Sequence, residues 1–371
     1  MAAFMQISGT ALREVASAQV FEKIVQDILH VNGKGVDESY VNGQLDRASI
    51  SIPKVALGAG DFRQLGATVN GGQFNSNAAV ISSSDYIEVP LLFVYDRTET
   101  LAKIMNDKAG YALLEAKTEN IRRKIARGIN ALTFATQFAA NLNADAYAVG
   151  NGTAADTLNI VMASTPKPLD AIIDANAKLS EGDEDIGCDY FPTENRQAFV
   201  RPGFRGSLLK ADAKVILNSD LGQQMLATGV LNPWKNSEAS KIEMRNGYCG
   251  EIDGVPMYEV SPILWRLAAS YLMAGSSKLA QTAFDKVEAL YCSSVGTIRG
   301  FTASDAIDVV PAQAGQGWVL QPLVHGGCVC VSGKSVRLIC DNGFTNPVSY
   351  SKSSGTYTGK LTVLPPESQS A

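Results

Sequence analysis

Tyr86-Ile-Glu-Val-Pro-Leu-Leu-Phe-Val-Tyr95, together with the residues from Asp96 to Ala140 that follow it, is the stretch on which the fold turns. Ile87, Val89 and Leu91 alternate with Tyr86, Glu88 and Pro90, the period-two pattern of a strand with one apolar face. Then the period changes. Ile104, Tyr111, Leu114, Ile121, Ile125, Ile129, Leu132 and Phe138 recur at three- and four-residue steps. Lys103, Lys108, Glu115, Lys117, Glu119, Arg122, Arg123 and Lys124 fall mainly on other faces. With Asp96 or Thr98 as N-cap, the spacing predicts one helix to Ala140, about 60 Å long at 1.5 Å per residue. Gly110 and Gly128 are the places where it would break.

Working backwards, Ile50 and Ile52 alternate with Ser49 and Ser51 and predict a second strand. Between the two strands lies a run rich in Gly, Asn, Ser and Ala, including Gly58, Gly60, Gly66, Asn70, Gly71 and Gly72. Loops longer than about 12–15 residues are uncommon in compact domains and tend to be functional or disordered. Because strands bracket it, the run reads as an extended hairpin arm projecting from the body, with Phe62 and Phe74 as apolar anchors. The alternative is a disordered surface loop. Farther back, Leu12, Val15, Val20, Phe21, Ile24, Val25, Ile28 and Leu29 trace an amphipathic helix over Ser8 to Leu29, ended by Asn32-Gly33 and Gly35. Its apolar face needs a partner, either its own body or a neighbouring chain.

Working forwards, Asn151-Gly152 marks a turn, and Pro168 to Leu179 reads as a shorter helix closed by the acidic turn Gly182-Asp183-Glu184-Asp185. Asp253-Gly254 supplies a hairpin turn. Trp318 to Ile339 reads as strands joined at Ser332-Gly333-Lys334, and the Ser- and Thr-rich sequence after Asn342-Gly343 as a late arm or frayed end.

The 371 residues suffice for about two domains with a substantial core. Charged residues make up 19%, on the low side, which fits a surface partly hidden in an assembly. A net charge of −5 disfavours a dedicated nucleic-acid reader. Six dispersed cysteines read as reduced thiols packed as small apolar residues. No signal peptide or transmembrane span is expected: Pro262 to Gly275, the best candidate, is short and interrupted by Arg266.

Several short motifs resemble chemical sites, and each fails on spacing or context. Gly333-Lys334-Ser335 lacks the spacing of a phosphate loop and precedes a strand, Val336 to Ile339, so it reads as a hairpin turn. Cys328 and Cys330 share a strand face about 6.6 Å apart, whereas two zinc-bound thiolates approach to about 4 Å. No metal site is assigned to them with His325 and Cys340. His30, at a helix end, and His325, in a Gly-flanked turn, have no nucleophile elbow beside them. Asp183 and Asp185 read as a solvated pair. Arg122, Arg123, Lys124 and Arg127 fan around the helix, which favours a solvated or pairing role over nucleic-acid contact. No catalytic residue, cofactor or metal is assigned, which favours a structural role.

The order of segments resembles the tailed-bacteriophage major capsid proteins of the Hong Kong 97 fold. Their chain runs from an N-terminal arm to an extended loop, a spine helix, an apical domain and a return to a peripheral sheet. Tyr86 to Tyr95 leading into the long helix, the turn Gly150-Asn-Gly152, Pro168-Leu-Asp-Ala-Ile-Ile173, Phe199-Val-Arg-Pro-Gly-Phe-Arg-Gly-Ser-Leu-Leu209 and Gly247-Tyr-Cys-Gly-Glu-Ile-Asp-Gly-Val-Pro256 carry the resemblance. It implies an α+β subunit: N-terminal arm over 1–47, extended β-hairpin loop over 48–95, peripheral domain with spine helix over 96–165, apical domain over 166–315, return strands over 316–345 and a tail over 346–371. It implies self-assembly into pentamers and hexamers of an icosahedral head enclosing double-stranded DNA, contacted non-specifically. The implied partners are a separate scaffolding protein, a portal and a cement or decoration protein, with no membrane. The implied place is the virion, after assembly in the host bacterial cytoplasm. Phe21, Ile24, Lys54, Phe62, Arg63 and Phe74 are the candidate interface residues. Lys54 is the sole lysine between Ala48 and Pro90 but lies near the arm's base, so crosslinking through it is not expected. An encapsulin-like compartment and, more distantly, a soluble enzyme with a lid loop are the alternatives.

Overall fold

The two alternating patterns that flank residues 54–85 pair with each other. The computed structural model describes residues 28–38, 49–53, 86–90, 93–95, 99–102, 111–152, 157–164, 167–183, 186, 188–208, 247–302, 307–311, 317–322 and 324–364. In it β1 (Ser49–Pro53) runs antiparallel to β2 (Tyr86–Pro90), Ile50 opposite Val89 and Ile52 opposite Ile87. The chain then enters two further strands. β3 (Phe93–Tyr95) and β4 (Glu99–Ala102) pair with strands from the far end of the sequence, β15 (Val324–Cys330) and β14 (Gly317–Pro322) respectively. The helix expected from Asp96 or Thr98 is therefore displaced. Thr100 and Leu101 find ladder partners in Val319 and Trp318, and that long-range pairing overrides the local helical spacing.

Helix α1 spans Tyr111–Asn151. It starts directly after Gly110, passes through Gly128 without a break, and runs beyond the expected end at Ala140. The extension follows from apolar residues that keep the stripe going: Leu142 and Ala146 lie in the same core as Ala131, Phe134 and Phe138. The middle of α1 is buried on every side, including Asn130, Thr133, Thr136, Gln137 and Asn141. A buried polar group without a partner is costly. Thr133 and Thr136 donate to Ile129 O and Leu132 O, both at 2.9 Å. Asn141 reaches across to Val336 O at 2.6 Å.

Consecutive apolar residues at Ala198-Phe199-Val200, Leu290-Tyr291-Cys292 and Leu338-Ile339-Cys340 require strands covered on both faces. They form a six-stranded mixed sheet in the order β5 (Ile160–Val161), β16 (Val336–Cys340), β11 (Val287–Ser293), β6 (Arg196–Val200), β8 (Val255–Glu259), β7 (Tyr248–Ile252). Phe199, Tyr258, Leu290 and Leu338 pack with α1 and with Trp265 of α3 (Pro262–Ser270). Val200, Met257, Tyr291 and Ile339 pack on the opposite face with Ile172 and Leu179 of α2 (Pro168–Leu179). Helix α2 has the predicted bounds. Its C-terminal carbonyls are met by two buried guanidinium groups, Arg196 on Asn176 O at 3.1 Å and Arg337 on Lys178 O at 2.9 Å. Cations suit a helix C-terminus, which gives these buried charges a physical partner.

The turn at Asp253-Gly254 is as expected. Both residues have positive φ, 53° and 75°, and Ile252 faces Val255 across a two-residue hairpin. After β6 ends at Val200, residues 202–208 form a short helix. Four other expectations are corrected. Gly333–Ser335 is a 3-10 turn but not a hairpin, because β15 and β16 belong to different sheets. Gly333 is needed because a side chain there would meet Ala140 O of α1 at 2.4 Å. Asp183 is buried, accepting from Ser332 Oγ and from Lys334 Nζ at 3.1 Å. His325 lies within β15, opposite Thr302 of β12 (Thr297–Thr302), and not in a turn.

The polar tail is the fourth. Through Leu364 it is folded: β17 (Ser349–Ser351) pairs with β18 (Thr356–Thr358), and β19 (Leu361–Val363) with β9 (Leu272–Ala274), itself paired with β10 (Ser277–Lys278). Val348 and Leu361 are buried. Composition misled there because two apolar anchors and side-chain amides from α1 hold an otherwise polar segment. The remaining pair, β13 (Ile307–Pro311) with β14, completes the strands beside β4.

Candidate assembly surface

The chain after the N-terminal amphipathic segment is clasped to the body. Leu29 N donates to Asn130 Oδ1 and Val31 N to Gln197 Oε1, each at 2.9 Å, and Gln197 returns a bond to Leu29 O at 2.7 Å. His30 is sandwiched between Phe134 and Phe199, with ring centroids 4.6 and 4.4 Å away. Its Nε2 pairs with Gln137 Oε1 at 2.9 Å, and its Nδ1 is buried without a partner. Burial, reinforced by the Arg299 cation, holds the His30 pKa well below the ordinary value, so the ring is neutral. Asp37 N donates to Thr297 O at 2.8 Å. Arg299, itself buried, grips Glu38 Oε1 through Nε at 2.9 Å and Nη2 at 2.6 Å, and reaches His30 O at 3.1 Å. With both ring nitrogens enclosed, His30 cannot serve as a general base. It is a positioning group.

Beside Leu29 an open cleft of about 480 Å³ runs between the N-terminal half of α1 and the start of α3. Ala126, Val260, Ile263 and Leu264 give it apolar walls, and Arg123 and Arg127 stand along one side. Glu259, also at the cleft, is ion-paired with Arg205. Ile263 is 60% exposed, an apolar side chain presented to solvent.

Phe21, Ile24, Lys54, Phe62, Arg63 and Phe74 all lie outside the described residues, and so do the predicted N-terminal helix up to Asp27 and the arm beyond Pro53. The structure describes instead what holds both segments at their bases: the β1–β2 ladder under the arm and the clasp at residues 28–38. The clasp residues Asn130 and Gln137 were not singled out in the sequence. Two amides seven positions apart within an apolar stripe were the available signal. Cys328 and Cys330 lie on β15 opposite Arg299 and Thr297. Burial raises the Cys328 thiol to about 12, which disfavours the thiolate a metal needs. Among the described residues, no group of three or more His, Cys, Asp or Glu side chains is placed to hold a metal ion. Likewise no described helix is long and apolar enough to cross a membrane.

No protein-family model matches the sequence, and no curated protein matches it. Among solved structures, the chain is similar to the capsid of the cyanophage P-SCSP1u, at 11% identity and a TM-score of 0.45, over 84% of this chain and 86% of that one. It is similar to the capsid of Ralstonia phage GP4 at 11% identity and a TM-score of 0.46, over 78% and 82%. It is also similar to a virus-like particle from Pyrococcus furiosus at 7% identity and a TM-score of 0.40, over 88% and 98%.

Proposed function

We propose that this chain is the major coat protein of a tailed bacteriophage, with a Hong Kong 97-type fold, and that it works by self-assembly and not by catalysis. The observation that carries the reading is the base of the arm. β1 and β2 close residues 54–85 with a five-pair antiparallel ladder, and the chain emerging from it is sewn by β3 and β4 to the C-terminal strands. A long excursion anchored so firmly at its root, with no reacting constellation nearby among the described residues, suits contact with a neighbouring subunit better than closure over a substrate. Heterologous contacts of this kind close into rings where the rotation between neighbours closes, and several weak ones sum to a stable shell. On this reading the rings are the pentamers and hexamers of an icosahedral head, with Phe21, Ile24, Lys54, Phe62, Arg63 and Phe74 at the contacts.

On this reading the domains divide as arm 1–47, loop 48–95, spine-bearing peripheral domain 96–165, apical domain 166–315, return strands 316–345 and tail 346–371. Scaffolding, portal and cement or decoration proteins are separate chains. Double-stranded DNA is contacted non-specifically, in keeping with the net charge of −5. Assembly takes place in the host cytoplasm and the product is the virion shell.

Replacing Gly58 to Ser84 with a short Gly-Ser turn tests this. Loop length enters closure entropy only logarithmically, so the variant folds with an unchanged circular dichroism spectrum. Sedimentation then finds subunits or small oligomers and no complete shells. Intact shells from that variant would refute the role given to the arm.

A further inference from the structure

Asn-Gly pairs occur in the sequence at Asn32, Asn42, Asn70, Asn151, Asn246 and Asn342, of which Asn42, Asn70 and Asn246 lie outside the described residues. The other three set one dipeptide in three environments. At Asn32 both partners are held: Asn32 Oδ1 accepts from Glu38 N at 3.1 Å, and Gly33 N donates to Val36 O at 2.8 Å. Asn151 is the last residue of α1, and Gly152 N donates to Ala148 O at 2.9 Å. Asn342 has neither restraint. It is the second residue of a turn closed by Phe344 N on Asp341 O at 3.1 Å, with Gly343 third at a φ of 85°. A turn of this kind bonds the amide of its fourth residue and takes positive φ at its third. Among the described residues, neither the Asn342 side chain nor the Gly343 N–H has a hydrogen-bond partner. Both residues are exposed, and nothing stands within 4 Å of where a side chain on Gly343 would begin.

We propose that Asn342 is a site of spontaneous deamidation, selected by the fold from among these Asn-Gly pairs. The Gly343 amide nitrogen, having lost its proton to solvent base, attacks Asn342 Cγ and forms the new C–N bond of a succinimide. The Cγ–Nδ2 bond breaks, and the side-chain nitrogen leaves as ammonia with a proton supplied by water. Water then opens the ring at either carbonyl, giving aspartate or, with the main chain rerouted through Cγ, isoaspartate. The net change is one amide and one water consumed, one carboxylate and one ammonium released. Either product sets a new carboxylate beside Asp341, whose Oδ2 pairs with Lys286 Nζ at 3.3 Å. Isoaspartate also lengthens the link between β16 and the tail by one methylene. At Gly33 and Gly152 the attacking N–H is already donated, so the same step there waits on local opening. The proposal does not rest on the coat-protein reading.

The test is incubation of the folded full chain at 37 °C in heavy-oxygen water, which marks each new carboxylate, followed by digestion and mass spectrometry of the peptides carrying Asn32, Asn151 and Asn342. The Asn342 peptide should gain label at least about tenfold faster than the other two, which must first open locally, and faster at pH 8.5 than at pH 6.5. In urea the three rates should converge, because the dipeptide is the same. Asn342→Gln should abolish the fast labelling, since its longer side chain closes the ring far more slowly. Comparable rates at the three sites in the folded protein would overturn the proposal. Rates that stay as far apart in urea would also overturn it, because sequence neighbours and not the fold would then select the site. Fast labelling retained in Asn342→Gln would place the reaction at Asn346 instead.

Discussion

His30 ties the start of the described chain to the core as a neutral ring, and acid works against it. The unfolded chain carries an ordinary histidine with a pKa near 6.5, whereas the folded value lies well below it. Between the two values the unfolded state binds the proton and the folded state does not. This stability is therefore complete above about pH 6.5 and falls as the pH drops toward the folded pKa, by up to about 1.4 kcal/mol per pH unit. Denaturant midpoints at pH 7.5, 6.5 and 5.5 should decrease in that order. His30→Phe keeps the ring packing but takes the His30 partner from Gln137 Oε1. It should cost about 1–3 kcal/mol at pH 7.5 and flatten the decline between pH 6.5 and 5.5. A variant with the same slope as wild type would assign the decline to another group. His30 was visible in the sequence as one of two histidines; its sandwich was not, because Phe134 and Phe199 are distant in the chain.

Helix α1 acts as an axle to which distant segments are tied by side-chain amides. Asn143 shows how. Its Oδ1 accepts from Leu361 N and its Nδ2 donates to Leu361 O, both at 2.9 Å, as a neighbouring strand would do for β19. Asn143→Leu removes both bonds and leaves two backbone groups of a buried residue unpaired. It should destabilise the protein by about 1–3 kcal/mol and speed exchange of the Leu361 amide. Asn143→Asp retains the acceptor and should cost less. Equal costs for the two variants would mean that packing, and not the paired amide, holds β19. Elements with local signatures were legible: α2 was read with its true bounds, and Asp253-Gly254 gave its hairpin. The start of α1 was not, because β4 exists only through its pairing with β14, more than two hundred residues away. The fold of the tail was hidden likewise, since β19 is held by β9, some ninety residues earlier, and by the Asn143 amide of α1.

At the scale of the whole molecule, nothing described depends on a crosslink. All six cysteines are free, and burial raises Cys249 to about 11 and Cys328 to about 12, so both are thiols at neutral pH. Treatment with chelator or with reductant should leave the melting temperature unchanged. A large drop with either would put a metal or a disulfide into the structure. The succession of strand and long helix after Tyr86 was legible from the sequence because the apolar period changes there. The connectivity of the central sheet was not, since consecutive apolar residues say that a strand is buried and not which strands flank it. That connectivity sets a clock on biosynthesis. β16 lies between β5 and β11, yet it is the last of the six strands to be made. At about 5–20 residues per second, on the order of ten seconds pass between the emergence of β6 and that of β16. Through that interval the nascent chain lacks the strand that joins β5 to the rest of its sheet. A half-made chain on the ribosome therefore lacks a complete sheet until β16 has emerged.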